Sequence, residues 1–280
     1  MTRLAVADGI RYAVSEHGRG SSLVLLHGFT GSRASWAALL PELARDHRVL
    51  TIDLLGHGDS DSPAAARHDV ERQALDVGHL LERLRATPAD VLGYSFGARV
   101  ALRLAIDSPS SVRRLILESP SAGIADPAAR ATRRIADQRR VDQLARGDMA
   151  AFVHDWAAQP IFASQERLPD GTRLGLDAER RCNRPDGLAA SLLGAGQGVM
   201  PPLHGRLGTI TAPTLIISGR LDPRGAERAE EVARGIPAAR HVIIEDAGHT
   251  PHLEVQERFL DLVLSALATP IVTPIPTPAT

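Results

Sequence analysis

A mostly parallel β-sheet sandwiched between helices, with one helical insertion, is the fold class this sequence predicts. Three observations predict it. Short, nearly all-apolar runs alternate with longer helical stretches, one such run leads through Gly-x-Ser-x-Gly into a helix, and about ninety residues then break the alternation.

The chain opens with Arg3 to Val6 and Ile10 to Val14 on either side of Asp8-Gly9, a dipeptide that supplies the positive φ angles of a tight hairpin. The buried-strand candidates follow: Leu23 to Leu26, Val49 to Asp53, Val91 to Leu92, Leu115 to Leu117, Thr214 to Ser218 and Val242 to Ile244. Runs this short and continuous are what strands covered on both faces look like. From Ser119 to about Thr211 no buried strand is evident, arginines are frequent, and Pro127 to Arg146 and Met149 to Ala158 read as helices. That is too long for a loop. The expected division is a core of residues 1–119 and 212–268 and a helical lid of residues 120–211, placed to cover the carboxyl ends of the strands. Phe259 to Ala268 reads as an amphipathic packing helix. Residues 269–280, rich in Pro and Thr, read as an extended tail with no function assigned.

Composition bounds the function classes. With 280 residues, 44% hydrophobic and 23% charged, the chain is neither disordered nor fibrous, and it has no apolar run near the roughly 20 residues a bilayer span needs. Its 32 basic residues offset 33 acidic ones, so the charge balance calls for neither nucleic acid nor an anionic membrane as partner. All of the basic residues are arginine, a bias attributed first to GC-rich codon usage. The single cysteine, Cys182, cannot form an intramolecular disulfide and has no nucleophile signature around it, and the N-terminus lacks a signal-peptide layout. A cytoplasmic location, as a monomer or small homo-oligomer, is expected. Eleven scattered histidines, no His-Glu-x-x-His, no cysteine pair and no phosphate loop leave no metal site or cofactor to expect.

The chemistry is carried by Val91-Leu92-Gly93-Tyr94-Ser95-Phe96-Gly97, a nucleophile elbow. Its glycines relieve a sharp turn that holds Ser95 out at a helix N-terminus. A serine hydroxyl needs an imidazole to take its proton and a carboxylate to orient that imidazole. Asp222, just past Thr214 to Ser218, and His249, just past the final strand, supply both. The order Ser, Asp, His is that of α/β-hydrolases. Asp246, Asp53 and Asp59 are rivals for the acid, and His252, His27 and His57 for the base. The loop His27-Gly28-Phe29-Thr30-Gly31-Ser32 follows the first buried parallel strand, so the backbone N–H groups of Phe29 and Phe96 are the candidate oxyanion hole.

The elbow with Arg99, the His27 to Ser32 loop with Trp36, and Asp53-Leu54-Leu55-Gly56-His57-Gly58-Asp59-Ser60 together resemble the 2-succinyl-6-hydroxy-2,4-cyclohexadiene-1-carboxylate synthases of menaquinone biosynthesis. The lid resembles them too, in Arg130-Ala131-Thr132-Arg133 with Asp137, Asp155-Trp156, Gln159 to Gln165, and Asn183-Arg184-Pro185-Asp186-Gly187 through Leu192. The resemblance runs from about Leu23 to Glu254. It implies a lyase that releases pyruvate from a substrate bearing several carboxylates, with Ser95, Asp222 and His249 acting as base. It also implies Arg99 and Arg133 as carboxylate binders, Tyr94 and Trp156 as pocket residues, and a third arginine for which Arg180 and Arg181 compete, Arg181 being preferred. Arginine suits this work because its planar fork meets a carboxylate with two parallel hydrogen bonds. The sequence departs from the family at Ala98, at Leu193, and at Arg224, which stands where lysine is usual. The competing reading is a serine hydrolase of esters or carbon–carbon bonds through an acyl-enzyme.

Overall fold

The computed structural model describes residues 2–270 of the chain. Its strands are β1 (Thr2–Ala7), β2 (Ile10–His17), β3 (Ser21–Leu26), β4 (His47–Ile52), β5 (Ala89–Tyr94), β6 (Val112–Glu118), β7 (Thr214–Gly219) and β8 (Ala239–Ile244). They form one sheet in the order β1-β2-β4-β3-β5-β6-β7-β8. The β1–β2 and β2–β4 pairs are antiparallel, and every pair from β4 onward is parallel. Each run read as a buried strand falls on one of these elements, and only Val49 to Asp53 overruns its strand, by the one residue Asp53.

The central strands are apolar throughout because both faces are covered. Val24, Leu26, Val91, Leu115, Leu117 and Ile216 point into one core, shared with helices α2 (Val70–Arg83), α3 (Phe96–Asp107) and α8 (Pro223–Gly235). Their neighbours Leu23, Leu25, Leu92, Ile116, Leu215 and Ile217 point into the other, shared with α1 (Leu40–Leu43) and α10 (Gln256–Ala268). This period-two alternation puts consecutive side chains on opposite faces of the sheet. The expected packing helix is α10, which buries Phe259, Leu262 and Val263.

Between β6 and β7 lie α4 (Pro127–Ala145), α5 (Met149–Ala157), α6 (Asp170–Arg181) and α7 (Pro185–Ala195), with no strand among them. They have a core of their own, built from Leu144, Phe152, Val153, Trp156, Phe162, Leu188 and Leu192, against which Phe29 of the β3 loop also packs. The starts of α4 and α5 are fixed by Asp126 and Asp148, whose side chains accept hydrogen bonds from Ala129 N–H and Ala151 N–H. A short helix, α9 (Pro251–Glu254), precedes α10. The tail expected over 269–280 lies, beyond Pro270, outside the described residues.

Candidate active site

Strand β5 ends at Tyr94 and α3 begins at Phe96, so Ser95 alone makes the turn, at φ 49° and ψ −97°. Such a conformation costs about 1–3 kcal/mol and persists only where the surroundings impose it. Here they do. Ser95 N–H donates to the carbonyl of Glu118 at 2.9 Å and Gly97 N–H to that of His27 at 3.0 Å. A Cβ on Gly97 would lie 2.1 Å from the Leu26 carbonyl oxygen, and one on Gly93 would lie 2.5 Å from that of Gly97. Any larger residue at either position would push the turn open.

The structure brings the three triad candidates together. Ser95 Oγ lies 3.0 Å from His249 Nε2, and His249 Nδ1 lies 2.7 Å from Asp222 Oδ2. Asp222 also caps α8, its Oδ1 accepting from Gly225 N–H at 3.0 Å. Burial alone would raise its pKa. The hydrogen bond and charge of His249, with Gly225 N–H and nearby Arg228, outweigh burial and hold the carboxyl below its usual range. Asp222 is therefore a carboxylate at neutral pH, able to fix the imidazole tautomer with Nε2 facing the serine.

The rivals are engaged elsewhere. Asp246 is exposed, Asp53 binds Arg33 and the Asp59 N–H, and His252 binds Glu118. A second chain of the same residue types exists: Ser218 Oγ lies 2.8 Å from His241 Nε2, and His241 Nδ1 lies 2.8 Å from Glu230 Oε2. Ser218 is 1% exposed within β7, and of the three only Glu230 borders a cavity, one that neither Ser218 nor His241 lines, so no substrate can reach the hydroxyl. Ser218→Ala is accordingly expected to leave labelling of the protein by a fluorophosphonate probe unchanged.

Phe29 and Phe96 both line the cavity into which Ser95 opens. Among the described residues neither backbone N–H has a hydrogen-bond partner, so both are free to donate to an oxyanion. Behind them lie buried histidines. His27 Nε2 accepts from Leu54 N–H at 3.0 Å, which leaves Nδ1–H to donate to Gly28 O at 2.7 Å and fixes a neutral ring. The His57 ring touches those of His27, Phe29 and Phe96. Burial pulls His27 and His68 down to about 4 and His57 to about 3.

Because these folded values lie below the unfolded value, the unfolded chain binds more protons in between. Stability is full above about pH 6.5 and is lost as pH falls toward 4, by up to about 1.4 kcal/mol per pH unit for each histidine. Urea unfolding at pH 7 and pH 5 should show this drop, and His57→Asn should flatten the slope by close to one proton. Equal midpoints at the two pH values would show that these rings are not buried neutral.

The cavity holds the other expected residues, with one correction. Tyr94, Arg99, Arg133 and Trp156 line it together with Ser95 and His249. Arg99 is only 6% exposed, with its guanidinium over the Phe96 ring and Nη1 donating to the Ala195 carbonyl at 2.5 Å. Its Nε has no partner, and among the described residues no carboxylate pairs with it. Burial, with the neighbouring charge of Arg133, pulls its pKa down to about 9, which still leaves it charged at pH 7. Arg133 binds Asp137 at 2.8 Å. Trp156 Nε1 is buried without a partner.

Arg181, preferred from the sequence, is exposed at the end of α6 and lines no part of the cavity. Arg180 is the buried one of the two, though it too lies outside this cavity and lines a smaller pocket beside it, shared with Tyr94 and Phe162. Neighbouring helix positions differ by about 100°, so only one of two consecutive arginines can face inward. Arg180 packs over Phe162, whose ring also meets that of His249, and donates to Gln165 at 3.1 Å.

A sequence profile of the α/β-hydrolase fold matches residues 22–255. A Bacillus subtilis protein provisionally named 2-succinyl-6-hydroxy-2,4-cyclohexadiene-1-carboxylate synthase is 37% identical over 271 residues, covering 96% of this chain and 98% of that one. The chain belongs to this synthase family, within the α/β-hydrolases. The Salmonella agona synthase is 34% identical over 83% of this chain and 88% of its own. Among solved structures, the MenH of S. aureus superposes with a TM-score of 0.87 at 32% identity, covering 91% of this chain and 97% of that one.

Within the synthase family frame, two cavity residues had no role in the sequence reading. Arg224 and Arg228, at the start of α8, line the same cavity as Arg99 and Arg133, and no aspartate or glutamate lines it. In the sequence Arg224 stands out only as a departure from lysine. The signal for Arg228 is its place one helical turn beyond Arg224, on the face that begins at Asp222. Leu193, the other departure in α7, is 45% exposed and away from the cavity.

Proposed function

We propose that this protein is a 2-succinyl-6-hydroxy-2,4-cyclohexadiene-1-carboxylate synthase, eliminating pyruvate from 2-succinyl-5-enolpyruvyl-6-hydroxy-3-cyclohexene-1-carboxylate. The observation that carries this reading is the cavity wall: four arginines and no carboxylate surround a Ser-His-Asp triad. Among the described residues only Arg133 has a carboxylate partner, Asp137, so a neutral ester would leave the other three charges unanswered, whereas a substrate with several carboxylates answers them with charge-assisted hydrogen bonds.

The acidic ring hydrogen is the one next to the succinyl carbonyl. Ser95 Oγ, its own proton taken by His249, removes that hydrogen, and the Phe29 and Phe96 N–H groups hold the carbonyl oxygen as it becomes an enolate. Electron flow through the ring double bond then forms the diene and breaks the carbon–oxygen bond to the enolpyruvyl group. The departing enolate takes up a proton and becomes pyruvate. One proton is removed and one returned, so no water is consumed. Asp222 keeps His249 oriented throughout.

Arg99, Arg133, Arg224 and Arg228 bind substrate carboxylates, Tyr94 and Trp156 shape the pocket, and Arg180, outside the cavity, supports its wall by packing over Phe162. Residues 120–211 act as a lid, closing the cavity from above the elbow. The soluble, multiply charged substrate fits a cytoplasmic enzyme working alone or as a small homo-oligomer, with no nucleic acid partner. No helix among the described residues is long and apolar enough to cross a membrane.

Deuterium at the ring carbon bearing the succinyl group tests the step: a primary isotope effect on kcat/KM is expected. A covalent acyl adduct on Ser95 without an isotope effect would support the hydrolase instead. That second reading has one observation in its favour, since a thermophilic esterase from Thermogutta terrifontis, solved with malate bound, superposes with a TM-score of 0.84 at 28% identity over 95% of this chain and 98% of that one.

A further inference from the structure

Beneath the triad lies a carboxylate that the reaction as derived above does not use. Glu118, the last residue of β6, is fully buried. Its Oε1 accepts from the His252 backbone N–H at 2.9 Å and faces His252 Nδ1 at 2.8 Å, while Oε2 has no partner. A carboxylate buried to this degree is costly unless its hydrogen bonds are made, so its retention here calls for a reason.

The reason lies in what Glu118 and its neighbour hold. The Glu118 carbonyl accepts the N–H of Ser95, and Ser119 Oγ donates to the carbonyl of His249 at 2.9 Å. The Glu118 side chain grips His252, three residues past His249. The His252 ring is boxed by Trp36, Tyr94 and Phe259, so it cannot shift without moving the loop. Two consecutive residues thus tie the nucleophile's turn to both sides of the imidazole loop, and the 3.0 Å contact between Ser95 and His249 spans the two parts so joined. We propose that Glu118 is a positioning residue for the reaction, setting His249 against Ser95 through its hold on His252. The proposal rests on Ser95 and His249 working as a pair, whichever substrate they serve.

Hydrogen-bond geometry rather than charge is the operative property, which separates this role from a purely electrostatic one. Glu118→Leu removes the acceptor at nearly constant size, whereas Glu118→Gln keeps an acceptor in place. In Glu118→Leu, kcat is expected to fall about 10- to 100-fold, as a misplaced catalytic group predicts, with KM within about twofold of wild type. The rate of Ser95 labelling by a fluorophosphonate probe should fall in parallel, corrected for the folded fraction measured by near-UV circular dichroism. Glu118→Gln should recover kcat to within about threefold of wild type. If Glu118→Leu does not fold, Ser119→Ala, which removes only the bond to the His249 carbonyl, should show the same loss of kcat at unchanged KM in milder form. A folded Glu118→Leu with wild-type kcat and labelling, or a Glu118→Gln as impaired as Glu118→Leu, would overturn the proposal. So would a Ser119→Ala with wild-type kcat where Glu118→Leu is unfolded. Wild-type protein that does not react with the probe would overturn the triad itself, and the proposal with it. Labelling intact but no pyruvate released would instead count against the synthase reading alone.

Discussion

Ser95→Ala is expected to reduce kcat/KM for pyruvate release by at least about 10³-fold, with little change in substrate affinity. The size follows from the geometry. Removing Oγ takes away the group that meets the substrate hydrogen, and His249 Nε2, placed 3.0 Å behind it, is then too far away to substitute. Binding should be spared because the arginines proposed to hold the carboxylates lie on α3, α4 and α8 and do not depend on Ser95 Oγ. The measurement is steady-state pyruvate release alongside calorimetric binding of the product. His249→Ala should behave in the same way, and the double variant should be little worse than either single one, because residues acting as a unit are not additive. A Ser95→Ala variant retaining a tenth of wild-type activity would remove serine from the chemistry.

Arg99→Met is expected to cost about 3 kcal/mol of transition-state binding, roughly 10²-fold in kcat/KM, the usual penalty for losing a charge-assisted contact at a desolvated site. The same change should leave the melting temperature of the ligand-free protein unchanged or higher. Arg99 is a buried cation with a carbonyl, a methionine sulfur and an aromatic ring for company but no carboxylate. Replacing such a charge with an apolar side chain of similar length relieves the desolvation cost. Arg99→Lys should not restore activity, since an ammonium cannot make the paired bonds of a guanidinium. For the same reason a dicarboxylate such as the product should raise the melting temperature of wild-type protein and fail to raise that of Arg99→Met. A destabilised, still active Arg99→Met would mean that this arginine is structural. Arg133 is a weaker case, because Asp137 already neutralises part of its charge.

Asp222 and His249 were legible because each lies just past a strand. The elbow and the strand runs were legible because each is local: a few consecutive residues with the spacing and glycines that a strand–turn–helix demands. The helix formed by Phe259 to Ala268 was legible for the same reason. Arg181 was misread because the choice between adjacent helix positions depends on which way α6 rolls against Phe162 and Gln165, a fact of packing rather than of pattern. Glu118 carried no sequence signal at all. It closes a strand of otherwise ordinary composition, and its partner His252 is 134 residues away. Arg228 was hidden among the 32 basic residues, where a bias toward arginine masks the few positions that need its shape. Burial without a counter-ion separates Arg99 from the rest, and that appears only in three dimensions.

In the reaction proposed above, a hydrolase-like triad performs an elimination. Supplying the purified protein with the enolpyruvyl substrate and, separately, with a simple aryl ester, and following pyruvate and phenol release in parallel, tests it most directly. Pyruvate formed in equal amount to substrate consumed, with the ester turned over far more slowly if at all, is the result predicted. Rapid phenol release with no pyruvate would contradict it.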